Sequence, residues 1–199
     1  MINLPSPLDQ TFASKEDLPD FFASLIFDLG KILGCDRLFL YIRDPELNIY
    51  QIPHCYCSEP NIPELTQKQS KPEPYDLKDD DPLFAAALEG QPIVCIDDLQ
   101  KLAHGEKGDF WQKHYCNQKS LIQVHLYIEN RLWGFIRASQ FNNDRPWTKF
   151  DRDLLVSIVD RIVPLTTVYV KRTITETLQH VNDGEANIKN RDADLQSYR

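Results

Sequence analysis

Cysteine and histidine are the residues of this chain whose types and spacing could do chemistry. Cys55 and Cys57 flank Tyr56 directly after His54, an arrangement that could bind a metal ion or sense redox state. A zinc site commonly takes four ligands from two paired clusters, and the sequence holds no second cluster. On a β-strand the two cysteines would share one face, so we interpret them as reduced core residues. The pattern therefore predicts no metal site.

Two further groups of side chains could bind a ligand. The acidic run 79–81 could hold a cation, but Asp81 followed by Pro82 is typical of a helix start, and we interpret the run as a solvated loop and helix cap. An aromatic cluster further on could either wall a ligand pocket or pack a short amphipathic helix, and both interpretations stay open. It consists of Phe110, Trp111, His114 and Tyr115.

The composition argues against several classes of function. The chain has 199 residues, of which 22 are basic and 30 acidic, with no basic cluster of the kind that binds nucleic acid. No apolar run reaches the roughly 18 residues of a membrane span, and the N-terminus lacks the features of a secretory signal. The motifs of P-loop nucleotide hydrolases, zinc proteases and serine hydrolases are absent. We therefore expect a cytoplasmic protein that is not an enzyme.

The first part of the chain predicts one helix, two strands and a loop. After a start signal at 14–17, apolar residues recur at helical spacing until Gly34, which closes the helix. Residues 35–43 and 49–57 alternate as antiparallel strands. Residues 58–76 hold four prolines and predict a long loop of the kind that often serves as a lid or binding loop.

The second part predicts short elements, a hairpin and a long helix. A short helix begins at Asp81, a short strand covers 92–96, and short helical pieces cover 97–103 and 109–117. Strands at 120–128 and 132–141 form the clearest hairpin, with its turn at 129–131. A long helix begins at about Lys149, and Pro164 should kink or break it. Its apolar stripe consists of Leu155, Ile158, Ile162, Leu165 and Tyr169.

These elements predict an α+β fold in two layers, with helices near both termini flanking an antiparallel sheet of about five to six strands. We divide the chain into an irregular arm (1–16), a globular domain (17–170) and a linker helix (171–199). The last segment has a weak heptad pattern that Glu185 and Asp192 interrupt, which is typical of a signalling linker.

Several motifs, in their order and spacing, resemble the GAF domain family, in particular its phytochrome and cyanobacteriochrome branch. The family usually has proline where this chain has His125. The resemblance implies a ligand pocket between the sheet and the connecting segments. The matching motifs are Leu33–Arg37, Gly90–Asp98, Ser120–Leu126, Arg131–Ile136, Arg145–Trp147 and Asp151–Leu155. The candidate pocket residues are Phe84, Phe110, Trp111, His114, Tyr115 and Ser139.

The residues that attach and contact a bilin in that branch do not match. The resemblance would place the bilin-attaching Cys-His pair at Gly108 and Asp109. A second family cysteine would fall at Leu83, and a pigment-contacting histidine at Ser139. Since none of these residues has the required chemistry, we expect no covalent bilin, and the cofactor stays unknown.

The resemblance implies a sensory or dimerisation module of a signal-transduction protein, such as a histidine kinase of a two-component system. Such a module would form a homodimer, bind a small molecule and relay a signal through its C-terminal helix to an effector. The apolar stripe from Leu155 to Tyr169 would then pack on the sheet and between protomers. Two alternatives stay open: a free methionine sulfoxide reductase that uses Cys95 and Cys116, and a scaffold without a ligand.

Overall fold

The structure, a computed structural model, contains one six-stranded antiparallel sheet. It describes residues 3–14, 17–74, 77–102, 111, 115, 117–142 and 145–197, with side chains as far as Ile174. The strand order is β3-β2-β1-β6-β5-β4, so β1 and β6 lie at the centre. The strands are β1 (Arg37–Asp44), β2 (Ile49–Cys57), β3 (Gln67–Pro72), β4 (Ile93–Ile96), β5 (Ser120–Ile128) and β6 (Arg131–Gln140). The expected α+β fold and strand number are confirmed.

Six helices accompany the sheet in the described part of the chain. They are α1 (Ser6–Ala13), α2 (Leu18–Leu33), α3 (Leu77–Asp80), α4 (Pro82–Leu88), α5 (Leu99–Leu102) and α6 (Lys149–Ser197). None of the described helices is long and apolar enough to cross a membrane.

Two segments predicted to be irregular contain regular structure. The arm 1–16 includes α1, which buries Leu8 and bonds to α2 through Thr11 Oγ1 and Asp28 Oδ2 at 2.7 Å. Pro7 hid this helix in the sequence, although proline is tolerated in a first turn. The predicted loop 58–76 includes β3, a polar edge strand without apolar alternation. Both predictions were wrong because tertiary contacts, rather than periodicity, stabilise these elements.

Local signals at the helix ends explain where the two long helices begin and where α2 ends. Asp17 caps α2 by accepting a hydrogen bond from the Asp20 N–H at 3.2 Å, and Gly34 ends it with φ 56°. Ahead of α6, Thr148 and Asp151 form a reciprocal pair: the carboxylate accepts the Thr148 N–H at 2.8 Å, and the hydroxyl accepts the Asp151 N–H at 3.2 Å.

The helices α1, α2 and α6 cover one face of the sheet and complete the main core. Leu38, Leu40 and Ile42 of β1 point into this core, as the alternation predicted. Phe22 of α2 stacks on Tyr169 of α6 with ring centroids 4.4 Å apart. Ile174 is also buried there, so the core extends past the predicted domain boundary at residue 170.

The apolar stripe of α6 packs inside its own chain. Leu155, Ile158, Ile162 and Tyr169 are at most 1% exposed, and Leu165 is half-buried. The prediction that the stripe packs on the sheet is confirmed, but these four buried residues cannot also form a contact between protomers. The helix also runs through Pro164 without a break in its assigned span.

The β5–β6 hairpin forms where the sequence predicted, with a turn one residue shorter than expected, because Arg131 already pairs with Ile128 as part of β6. Glu129 and Asn130 both have positive φ, as a two-residue turn between twisted strands requires. Gly134 allows a close approach of β6 to β1, because a Cβ at this position would lie 2.2 Å from the Tyr41 carbonyl oxygen. The strand β6 therefore packs closely against β1 at the centre of the sheet.

The other face of the sheet is covered by short elements. Phe84 and Ala87 of α4 pack against Phe39, Tyr41 and Phe135 of the central strands. The predicted two-layer arrangement is therefore incomplete: the sheet lies between the long helices and a thinner third layer of short helices and connections.

Candidate functional site

A cavity of about 670 Å³ lies between the sheet and its thin covering layer. Its floor is formed by side chains on alternate positions of three strands. These are Arg37, Phe39, Tyr41, Tyr50, Ile52, Phe135 and Arg137. Its walls come from the 58–74 connection, α3–α4, and the segments before β5 and after β6. They contribute Pro63, Leu65, Pro74, Leu77, Asp80, Asp81, Phe84, Tyr115, Asn117, Gln118 and Phe141.

The structure brings two of the predicted pocket residues, Phe84 and Tyr115, to this cavity. Trp111 packs instead in a neighbouring apolar cluster with Leu83 and Leu121. Ser139 is fully buried beside the cavity, and its hydroxyl has no partner among the described residues. The remaining predicted pocket residues, Phe110 and His114, lie outside the described residues, as do Gly108 and Asp109.

Arg137 of β6 points into the cavity and is held by two neighbours. Its Nε donates to Gln123 Oε1 at 2.6 Å, and its Nη1 donates to Tyr115 Oη at 2.9 Å. The residue is 8% exposed. The guanidinium also lies over the rings of Phe135 and Phe39, which supply cation–π attraction.

Arg37 of β1 lies beside Arg137 on the same face and is less well satisfied. Its Nη1 donates to the Pro63 carbonyl at 3.0 Å, while its buried Nε has no partner among the described residues. It is 5% exposed. Burial, with the nearby charge of Arg137 as a smaller cause, lowers the pKa of Arg37 below its ordinary value.

The third arginine of this face, Arg43, has its charge balanced. Its Nε and Nη2 donate hydrogen bonds to the two carboxylate oxygens of Glu73 at 2.6 Å each, and the side chains of Arg43 and Glu73 are 7% and 8% exposed. Tyr41 donates to the same carboxylate at 2.8 Å. Burial, followed by the charge of Glu73, raises the pKa of Tyr41. This end of the face is therefore electrostatically closed.

Aromatic rings form much of the cavity floor. Tyr41 stacks on Phe135 with centroids 4.5 Å apart and planes 5° apart, and on Tyr50 at 5.1 Å. Phe39 meets Phe135 edge to face at 6.0 Å. The flat faces of such rings suit a planar apolar ligand.

His125 belongs to a buried polar chain that ends at Arg137. Its Nδ1 faces the Gln91 carbonyl, which can only accept, so Nδ1 carries the proton. Its Nε2 then accepts from Gln123 Nε2 at 2.7 Å, and Gln123 Oε1 is left to accept from Arg137. Burial lowers the pKa of His125, in keeping with a neutral ring. This residue therefore helps to orient the cavity arginine.

The cysteines do not converge on the cavity as a reactive group. The Cys55 and Cys57 sulfurs lie 4.0 Å apart on one strand face, as predicted, and burial raises the pKa of Cys55 to about 12. Cys95 packs on the helix side of the sheet and accepts a hydrogen bond from Arg152 at 3.3 Å. Its proposed partner Cys116 lies outside the described residues. No metal-binding group occurs among the residues that the structure describes.

The sequence did not indicate Arg37, Arg137 or Gln123 as site residues. One signal was present in β1, where charged and aromatic residues occupy every second position from Arg37 to Arg43, opposite a fully apolar set. A strand buried on both faces ordinarily has apolar residues at nearly all positions. Charges on the second face therefore mark a polar or ligand-filled space.

The comparisons with known proteins agree on the family. The model of the GAF domain family matches residues 17–163. No curated protein matches the chain. Similar solved structures include the phycocyanobilin-bound GAF domain from a cyanobacterial phytochrome (TM-score 0.64, 18% identity, covering 85% of this chain and 96% of that one). At such identities the likeness shows the fold alone.

Two further structures show the range of proteins with this fold. The GAF domain of Thermosynechococcus elongatus PixJ, in its blue-light absorbing form, has a TM-score of 0.58 at 18% identity, covering 88% of this chain and 96% of that one. The GAF domain of Acinetobacter phosphoenolpyruvate-protein phosphotransferase has a TM-score of 0.56 at 12% identity, covering 80% and 88%.

Proposed function

The chain belongs to the GAF domain family, and on that premise we propose that it is a cytoplasmic sensory and dimerisation module of a signal-transduction protein such as a histidine kinase. In this proposal the cavity binds a small molecule without a covalent bond, and α6 carries the signal to an effector. The module itself performs no chemical step.

One observation carries the proposal: the central strands border the cavity on one face and contact the long helices on the other. In β6, Phe135 and Arg137 line the cavity, while Ile136 and Ala138 lie in the core with α2 and α6. The strand β1 alternates in the same way. A ligand that shifts either strand must therefore also change the packing of α6.

The signal requires two states that the ligand distinguishes. A ligand shifts an equilibrium only by its difference in affinity for the two conformations. The cavity walls are short elements, α3–α4 and the 58–74 connection, which a ligand can draw closer to the sheet. We propose that this closure selects one position of α6 on the sheet.

The proposed homodimer uses the outward side of α6. The inward stripe is buried in its own chain, whereas Val168 is 59% exposed. Val168→Glu should therefore weaken a dimer that forms through this side. Val156→Glu is the matched control, because Val156 is also exposed but is rotated by about 120° around the helix. Equal effects of both changes on the mass of the particle in light scattering would contradict this arrangement.

Native mass spectrometry of the protein purified from its own host tests the proposal most directly. We expect a dimer that retains one small molecule per chain and loses it on denaturation. A monomer without added mass would contradict both parts. A dimer without added mass would favour the scaffold without a ligand, if adding metabolite extracts of the host also leaves hydrogen exchange in α6 unchanged.

The absence of catalysis is tested separately. Free methionine sulfoxide is incubated with the protein and a thiol reductant, and the methionine formed is measured. We expect no turnover, since Cys95 lies on the helix side of the sheet and not in the cavity. Turnover that Cys95→Ser abolishes would overturn this part of the proposal and favour the reductase.

A further inference from the structure

We infer that the cavity binds an organic acid with a flat apolar body, and that Arg37 and Arg137 bind its acidic group. This inference rests on the proposed ligand-binding function and names the chemical class of the ligand. It is carried by the charges, hydrogen bonds and rings around the cavity.

The first argument is the unbalanced charge. No carboxylate of the described residues lies within ion-pair distance of either guanidinium, although both side chains are over nine-tenths buried. Burying an unpaired charge is costly, and two like charges side by side cost more. Arg43, balanced by Glu73 on the same face, shows how this chain pairs a buried arginine that has only a structural role. An anionic ligand would supply the missing charge.

The second argument is the geometry of the donors. In the register of β1 and β6, Arg137 lies opposite Phe39, and Arg37 lies opposite Ser139, so the two arginines are diagonal neighbours on one face. Arg137 uses Nε and Nη1 within the protein, and Arg37 uses Nη1. The remaining N–H groups, including the unsatisfied Nε of Arg37, are the donors that bind carboxylate or phosphate oxygens best.

The third argument is the shape and sign of the rest of the cavity. The stacked rings of Tyr41 and Phe135 offer a flat apolar surface beside the arginines. On the opposite wall, Asp81 is engaged as the cap of α4 through the Leu83 and Phe84 N–H groups, and Asp80 lies next to it. These carboxylates repel an anion, so the acidic end of the ligand must face the sheet.

Two fluorescent dyes test the inference on the full chain. Anilinonaphthalene sulfonate has an aromatic body with an anionic group, and phenylnaphthylamine has the same body without the charge. We expect the sulfonate to bind at least about tenfold more tightly to the folded protein, because charge-assisted hydrogen bonds add to the aromatic contact. Near-ultraviolet circular dichroism confirms that each sample is folded, since the sulfonate also binds partly unfolded states.

Variants connect the effect to the two arginines. Arg37→Met and Arg137→Met should each weaken binding of the sulfonate dye about tenfold to a hundredfold, while binding of the neutral dye stays unchanged. Arg137→Lys keeps the charge and should weaken binding of the sulfonate dye less than Arg137→Met does. Arg131→Met is the matched control, since Arg131 is 59% exposed and outside the cavity, and it should change neither dye.

The outcomes separate the two proposals. Equal binding of both dyes, or sulfonate binding that the cavity variants leave unchanged, overturns the organic-acid inference while leaving small-molecule binding in place. If neither dye binds the folded protein, the ligand-binding function falls together with the inference.

Discussion

The strand β1 presents two different surfaces to the two sides of the sheet. Toward the long helices it places Leu38, Leu40 and Ile42, all without exposed area, in a closed apolar core. Toward the short elements it places Arg37, Phe39 and Tyr41, which border an open space. The same backbone therefore supports one face that packs in the core and one face that borders the cavity in which we propose that a ligand binds.

The difference shows where to look for function in a fold of this kind. Core packing is ordinarily dense and leaves few voids larger than a water molecule. A cavity of about 670 Å³ beside two buried arginines that have no carboxylate partner among the described residues departs from that rule, whereas Leu38, Leu40 and Ile42 pack on the helix side without exposed area. We therefore expect substitutions on the two faces to affect stability and binding in opposite proportions.

The largest expected effect concerns packing. Phe22→Ala on the helix side removes a fully buried ring that stacks on Tyr169, and should lower the free energy of unfolding by about 3–5 kcal/mol. Phe39→Ala on the cavity side should lower it by less than about half as much, because this ring already borders open space. Urea denaturation measures both, and equal losses would remove the distinction between the faces.

The next effect concerns charge within the cavity face. Glu73→Leu leaves the Arg43 guanidinium buried without its carboxylate, and should lower the free energy of unfolding by about 3 kcal/mol. Arg37→Met removes a charge that has no carboxylate partner among the described residues, and should leave the free energy of unfolding unchanged or raise it by about 1 kcal/mol. Thermal denaturation distinguishes them. A large loss for Arg37→Met would make that residue structural.

A smaller effect is expected where both faces share one backbone contact. Gly134→Ala places a Cβ against the Tyr41 carbonyl, and backbone atoms there cannot move aside cheaply. We expect the free energy of unfolding to fall by about 2 kcal/mol and dye binding in the cavity to weaken, because β1 and β6 must separate. Calorimetry and dye binding measure the two consequences, and Gly90→Ala, where a Cβ meets nothing within 4 Å, serves as a control for positive φ alone.

The smallest effect is the pH dependence of the helix side. His54 bonds to Tyr169 Oη at 2.7 Å, and burial, followed by the charge of Lys68, lowers its pKa to about 4. An unfolded histidine titrates near about 6.5, so between these values the unfolded chain binds the extra proton. The contribution of His54 is therefore complete above about pH 6.5 and is lost as the pH falls toward about 4.

His54→Gln tests this sign. The variant should lose about 1 kcal/mol less stability than the parent chain between about pH 7.5 and about pH 6, measured by urea denaturation. His125, whose pKa is also lowered by burial, acts in the same direction from the cavity side. An identical pH profile for the variant and the parent would show that His54 does not titrate as proposed.

The fold could largely be predicted because its main elements carry local signals. The β5–β6 hairpin alternates clearly, Gly34 stops α2, and the stripe of α6 follows helical spacing. The strand β3 and helix α1 could not be predicted, since their polar or proline-containing sequences become regular only through neighbours. A local sequence pattern predicts an element that has an apolar face to bury, but it does not predict an element whose regular structure depends on a neighbouring element of the fold.

The cavity was predicted only in part, for a related reason. Aromatic residues suggested its walls, and Phe84 and Tyr115 do line it. The role of Arg137 depends on Gln123 and His125, which reach it through the pairing of β5 with β6. Such a chain of donors and acceptors exists only in the folded sheet, so no spacing along the sequence announces it.

The unbroken helix α6 also sets a rotational phase for any segment joined to its far end. From Ile174 to Ser197 the helix is about 35 Å long, and each residue adds a rotation of about 100° around the helix axis. Adding one residue to this stretch should swing an attached domain by that angle, whereas adding seven should nearly restore its original heading. In the proposed dimer, the number of residues in this part of α6 would therefore determine which side of an attached domain faces its counterpart.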